Sequence, residues 1–262
     1  MWRADVGRVP LLLLDSNVPS NDEAARGITD RLYGGGGDHR LQQELLLGMG
    51  GVKALRVYQE LTGTPAPEVF HTNEGHAGFL GIERIQEAMS DANSPPLSWD
   101  EALAAGRAST VFTTHTPVPA GIDRFETVQI KHFFEAGLAP AVPTDRILDL
   151  GRENFDGGNP SVFNMAVMGL RLAQRANGVA KLHGVVSREM FAGLWPGFDH
   201  SEIPITSVTN ASTCPRGWTP RISSLARNQF GAEAEAWDAG TSRTTSATKT
   251  SGPFAGSSAH NS

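Results

Sequence analysis

No Leu, Ile or Val occurs after Leu225 in this 262-residue chain. Ser, Thr, Ala and Gly dominate there instead, as in residues 241–251 and 257–262. Such a segment buries too little apolar surface to offset the entropy of ordering it. Any hydrophobic core must therefore come from the residues before it. We expect residues 1–210 to form a folded unit and 211–262 a disordered tail. The formal net charge of −6 argues against a nucleic-acid partner, which needs a basic surface. It fits a cytoplasmic protein that handles a neutral or anionic small molecule. Cys214 is the single cysteine, so no internal disulfide forms. Arg3 and Arg8 precede an apolar run at residues 11–14, but the run stops at Asp15 without a small-residue cleavage site. No apolar stretch approaches the roughly 20 residues of a membrane-spanning helix.

Hydrophobic spacing organises the first 210 residues as alternating strands and helices. Residues 9–14 are a short continuous apolar run, the pattern of a strand buried on both faces. Residues 40–61 carry helical spacing through Leu41, Leu45, Leu46 and Leu55, interrupted by Gly48, Gly50 and Gly51. Residues 68–71 and 109–114 read as strands, with a helix at 77–89. Ser98 opens a helix at Trp99, with Glu101 at the capping-box position. Helices are expected at 128–136, 163–176 and 187–194, the last with Ser187 as its N-cap, and a final strand at 205–208. This alternation implies an α/β fold with a mainly parallel sheet covered on both faces. Ligands of such sheets sit at loops beyond the carboxyl ends of the strands.

Five segments invite comparison with known sites. His71-Thr72-Asn73-Glu74-Gly75-His76 lies where a strand gives way to a helix. Its spacing matches neither a helical i, i+4 zinc pair nor a Cys-rich knuckle, so we assign no metal. It reads as a polar loop that shapes a cleft or, alternatively, as a helix cap. Thr113-Thr114-His115-Thr116-Pro117-Val118-Pro119-Ala120-Gly121 follows a strand and is stiffened by two prolines, which suits a preorganised loop. His115 reads equally as a partner for a sugar hydroxyl or as a structural histidine. Tyr33-Gly34-Gly35-Gly36-Gly37-Asp38-His39-Arg40 is no P-loop, because no Gly-Lys-Ser/Thr closes it. Gly48-Met49-Gly50-Gly51-Val52-Lys53 puts Lys53 where a dinucleotide fingerprint has its third glycine. Asn177-Gly178 marks a turn that opens residues 177–190, where nothing local assigns chemistry and a structural role is favoured. No Gly-x-Ser-x-Gly elbow is present.

Further runs complete the pattern: Val6-Gly7-Arg8-Val9-Pro10-Leu11, Thr29-Asp30-Arg31-Leu32-Tyr33-Gly34-Gly35, Arg40-Leu41-Gln42-Gln43-Glu44, Phe163-Asn164-Met165-Ala166, Leu194-Trp195-Pro196-Gly197 and Thr209-Asn210. Taken in order with the segments above, they resemble the bacterial type of α-glucan (glycogen/maltodextrin) phosphorylase over about residues 5–210. The resemblance implies a Rossmann-like N-terminal domain of a two-domain, GT-B type glycosyltransferase, truncated at both ends. It implies phosphorolysis of α-1,4-glucans by inorganic phosphate, releasing glucose 1-phosphate. It also implies a pyridoxal phosphate cofactor held by a lysine of a C-terminal domain, so that no cofactor-binding residue lies in this chain. By motif position His115 corresponds to the histidine that contacts the glucosyl 6-hydroxyl, and Asn210 to an asparagine at the same hydroxyl. Asn73, Glu74 and His76 fall in the substrate-binding region, and Gly34, Gly35, Gly36, Gly37 and Asp38 in the loop that gates the active site.

The sequence departs from the family in three places. The glycine-rich loop expected upstream of Val6 is missing, and Ala180 stands where a serine is usual. After Asn210 the family pattern Gly-Val-His-x-Pro-x-Trp is replaced by Ala211-Ser212-Thr213-Cys214-Pro215-Arg216-Gly217-Trp218. Restoring one G before the codons of residues 211–217 permits Gly, Val, His, Val, Pro, Ala and Trp. We read a one-base deletion there as the source of the tail. The chain alone is expected to be inactive for want of the cofactor domain. The alternatives are a glucan-binding module without catalysis, a sugar-nucleotide glycosyltransferase of similar architecture, and a non-functional product of a disrupted gene with exposed apolar surface.

Overall fold

The computed structural model describes residues 1–31, 36–92 and 94–209. The expectations for the tail, for Asn210 and for Gly34 and Gly35 lie outside those residues. The chain starts with an antiparallel hairpin, β1 (Trp2–Val6) and β2 (Val9–Leu13), turned at Gly7 with φ +62°. A short helix α1 (Glu23–Arg26) follows, capped by the Asp22 side chain. Next come α2 (Gly37–Leu45), a π-helical turn (Leu46–Gly50) and α3 (Gly51–Thr62), which ends at Gly63 in the left-handed conformation. The glycines fall where the α-helix is interrupted by the π-helical turn, although the helical path continues through them. Gly48 is held to glycine by contact: a Cβ there would lie 2.7 Å from Phe79 Cβ.

Strand β3 (Phe70–Asn73) leads through a 3₁₀ turn (Gly75–Ala77) into α4 (Leu80–Ser90). Helix α5 (Trp99–Ala108) carries the expected Ser98–Glu101 capping box and feeds β4 (Thr110–Thr114). Strand β5 (Arg124–Glu126) precedes α6 (Thr127–Glu135) and α7 (Thr144–Gly151). Strand β6 (Val162–Asn164) pairs antiparallel with β5, and α8 (Met165–Leu172) follows it directly. Strand β7 (Arg175–Gly178), α9 (Lys181–Met190) and β8 (Ile205–Ser207) complete the described part.

The central sheet is parallel, in the order β3-β4-β7-β8. One face is covered by Phe112, Ala176 and Ile205 packing with Ala166, Leu170 and Ala173 of the α8 region. A larger cluster joins α2, α4, α6 and α7 through Leu41, Phe79, Ile130 and Ile147. Among the described residues the opposite sheet face is polar, with His71, Asn73, Arg175 and Thr206 exposed. The expected cover on both faces is therefore found on one. No helix among the described residues is long and apolar enough to cross a membrane.

Three local expectations are corrected. The apolar run at residues 9–14 is not a buried strand: β2 is the exposed arm of the hairpin, with Val9 59% and Leu11 47% accessible. Residues 163–176 do not form one helix, since α8 stops at Leu172 and the chain re-enters the sheet as β7, ending at the Asn177-Gly178 pair read as a turn. Ser187 is not an N-cap. It is fully buried inside α9, where its hydroxyl donates to the His183 carbonyl at 2.7 Å.

Candidate functional site

The carboxyl ends of β3, β4 and β7 bring three of the polar segments together. In a parallel sheet this is the edge where loops can face a ligand. Thr72 and Thr114 point into the covered face and are buried. On the open face His71 Nε2 lies 2.7 Å from Thr113 Oγ1, which donates to Asn177 Oδ1 at 2.9 Å. Asn73 is exposed at the end of β3, and His115 is exposed just beyond β4.

Glu74 joins these two strand ends. It is the one non-glycine residue with positive φ among the described residues, at φ 64° and ψ −174°. That backbone region suits glycine and costs another residue about 1–3 kcal/mol. Its side chain spans to the turn after β4. Oε1 accepts from the Thr114 hydroxyl at 3.1 Å, and Oε2 accepts from the backbone N–H groups of His115 at 2.5 Å and Thr116 at 2.9 Å. Each such bond contributes about 0.5–1.5 kcal/mol, so together they offset the backbone cost. Next in the chain Gly75 packs on Met165, where a Cβ would approach Met165 Cβ to 2.6 Å. The Asn164 side chain accepts from Ala166 and Val167 at the start of α8, which holds Met165 in place.

His76 belongs to a different constellation. Its Nδ1 lies 3.1 Å from Asp123 Oδ2, 3.4 Å from Glu44 Oε1 and 2.7 Å from an Arg40 guanidinium nitrogen. Arg40 itself pairs with Glu44 and with Asp123, both at 3.1 Å. One ring nitrogen cannot both accept from Arg40 and donate to the carboxylates. The hydrogen bond to Asp123, then that to Glu44, raises the His76 pKa to about 9, which selects the protonated, donating ring. The two cations then meet at Asp123, which stays ionised, with Glu44 as a second and more easily protonated partner. Burial raises the Glu44 carboxyl to about 7, and its Oε2 has no partner. The hydrogen bond from His76 is the largest of the effects that hold Asp123 well below the usual carboxylate range. Glu44, His76 and Asp123 also have the donor types of a metal site, with ligand atoms within 4.8 Å of one another. Arg40, paired with both acidic groups, supplies positive charge within this cluster.

Of the glycine-rich segment expected to gate the site, Gly36, Gly37 and Asp38 are described. Gly36 caps α2 with extended backbone, and Asp38 Oδ1 accepts from Gln129 of α6 at 2.5 Å. On the other side of residues 32–35, Gln43 donates to the carbonyls of Ile28 and Arg31, both at 2.9 Å. Both shoulders of that segment are thus tied to helices.

The structure places Asn73, Glu74 and His115 on one sheet edge and His76 on a neighbouring ion network. Sequence reading placed Arg40, Thr113, Thr114 and Asn177 in polar segments without giving them a role, and did not single out Glu44 or Asp123. Their signal was three-dimensional: none of them is close in sequence to all of its partners.

No family model matches the chain. The glycogen phosphorylase of Mycobacterium tuberculosis is 54% identical over 89% of this chain. The maltodextrin phosphorylase of Thermococcus litoralis is 41% identical over 80% of it, and the glycogen phosphorylase of Aquifex aeolicus 34% over 82%. The chain belongs to the glycogen and maltodextrin phosphorylases. It spans 27%, 23% and 29% of those three relatives' lengths, so it is a fragment of such a phosphorylase.

Proposed function

We propose that the intact protein cleaves α-1,4-glucans with inorganic phosphate to give glucose 1-phosphate, and that this chain supplies sugar-facing residues of a GT-B type cleft. The 54% identity to a mycobacterial glycogen phosphorylase is the observation that carries this reading. His115 is exposed on a turn fixed by Glu74, as a group that bonds a sugar hydroxyl must be. Asn73 flanks it, and Asn210 follows β8 on the same chain. Neutral donors and acceptors pair with a polyol without burying an unpaired charge. The segment around Gly36, Gly37 and Asp38 closes over the bound chain.

Phosphorylases of this kind use pyridoxal phosphate, which supplies a phosphate group for proton transfer. The described lysines do not fit it. Lys53 is exposed and paired with Glu83 at 3.1 Å, Lys131 is paired with Glu135 at 3.3 Å, and Lys181 is exposed. A Schiff-base lysine needs a pocket that excludes water, and none of the three is in one. No step through the cofactor is therefore assigned to this chain. The purified chain should release no glucose 1-phosphate from glycogen and phosphate, with or without added pyridoxal phosphate. Phosphate-dependent turnover above the background of a His115→Ala control would contradict the assignment of the remaining chemistry to other parts of the protein.

A further inference from the structure

We propose that Glu74 is a positioning residue: its carboxylate sets the backbone of the His115 turn and does not itself contact the sugar. The inference rests on the glucan-cleft reading for its purpose, but its geometry is independent of that reading. Both oxygens are engaged inside the protein, one by the Thr114 hydroxyl and the other by the N–H groups of His115 and Thr116. The side chain is buried, at 7% exposure, whereas His115 is exposed. A sugar hydroxyl reaching Glu74 would have to displace one of these bonds, while a hydroxyl reaching His115 displaces none of them.

The backbone also points to this role. At φ 64° and ψ −174° glycine is the comfortable residue. A glycine there would relax the chain but could not span from the end of β3 to the turn after β4. The ladder bond from the Glu74 N–H to the Thr113 carbonyl, at 2.8 Å, keeps residue 74 in line with β4, so its side chain has a fixed origin. One oxygen that receives two consecutive N–H groups fixes the orientation of both peptides at once. The imidazole of His115 leaves from the first of them. Beyond the clamp, Gly121 folds back on Thr116, where a Cβ would lie 2.8 Å from Thr116 Cγ2. The turn is thus held at both ends, with His115 projecting from the clamped end.

The test uses the full chain, NMR amide exchange at His115 and Thr116, and titration with maltoheptaose followed at His115. Wild type should show both amides protected. Glu74→Gly should lose that protection at least tenfold at these two amides and weaken maltoheptaose binding about tenfold. Glu74→Gln retains an acceptor oxygen for the two N–H groups, so it should keep protection and stay within about threefold of wild-type affinity. Unchanged protection in Glu74→Gly would overturn the clamp. Lost protection with unchanged affinity would overturn the positioning role. Protected amides without any response of His115 to millimolar maltoheptaose would overturn the glucan reading while leaving the clamp in place.

Discussion

At His76, one ring nitrogen couples folding to pH. Its pKa rises from 6.5 to about 9 through Asp123 and Glu44, so the stability it contributes is complete below pH 6.5 and is lost as pH rises through about 9. Glu44 rises from 4.5 to about 7 because it is buried; its contribution likewise is present below 4.5 and fades as pH rises through about 7. Asp123 is shifted the other way, so its contribution holds above pH 3.8 and is lost only in stronger acid. Urea unfolding between pH 6.5 and 9 should therefore show falling stability, and His76→Gln should flatten that slope. Parallel profiles for the two proteins would contradict the network. His76 was visible in the sequence as part of a polar loop. Its partners were not, because nothing in the helical spacing of residues 40–61 marks Glu44 as buried, and it is only 1% exposed.

The hairpin shows how an element can mislead at the level of pattern. A continuous apolar run usually marks a strand buried on both faces, and residues 9–14 fit that description. Among the described residues β2 pairs only with β1, and the register sets Trp2 against Leu13, Ala4 against Leu11 and Val6 against Val9. Trp2 is 65% and Val6 62% accessible, so these pairs form an apolar face open to water. Such a face favours self-association. The triple substitution Val6→Thr, Val9→Thr, Leu11→Thr should lower light scattering at high protein concentration and change unfolding free energy by no more than about 0.5 kcal/mol per site. Equal scattering would place the sticky surface elsewhere. Other elements were legible because their signals were local, as with the Ser98–Glu101 box that starts α5. Strand β7 was missed because Leu170, Leu172 and Ala176 extend the apolar spacing of α8 past its real end at Leu172. Sheet pairing with β4 decides that boundary.

For the whole molecule, the α/β class and the parallel sheet with polar loops at its carboxyl edge followed from alternation of elements alone. The family followed from many short motifs in one order, and the relatives' identities agree with it. What the sequence did not disclose was the sheet face on which His71, Asn73, Arg175 and Thr206 are exposed among the described residues, and the ion network around His76, since both depend on how distant segments are packed. The central claim is that this chain provides the His115 side of a phosphorolytic cleft. Its most direct test replaces the matching segment of the Mycobacterium tuberculosis glycogen phosphorylase with residues 1–209 of this chain and measures phosphate-dependent glucose 1-phosphate release from glycogen. The chimera should be active, and His115→Ala within it should reduce kcat/KM about tenfold or more through loss of a hydrogen bond to the sugar. A folded, cofactor-loaded chimera that is inactive, or one indifferent to His115→Ala, would contradict the account.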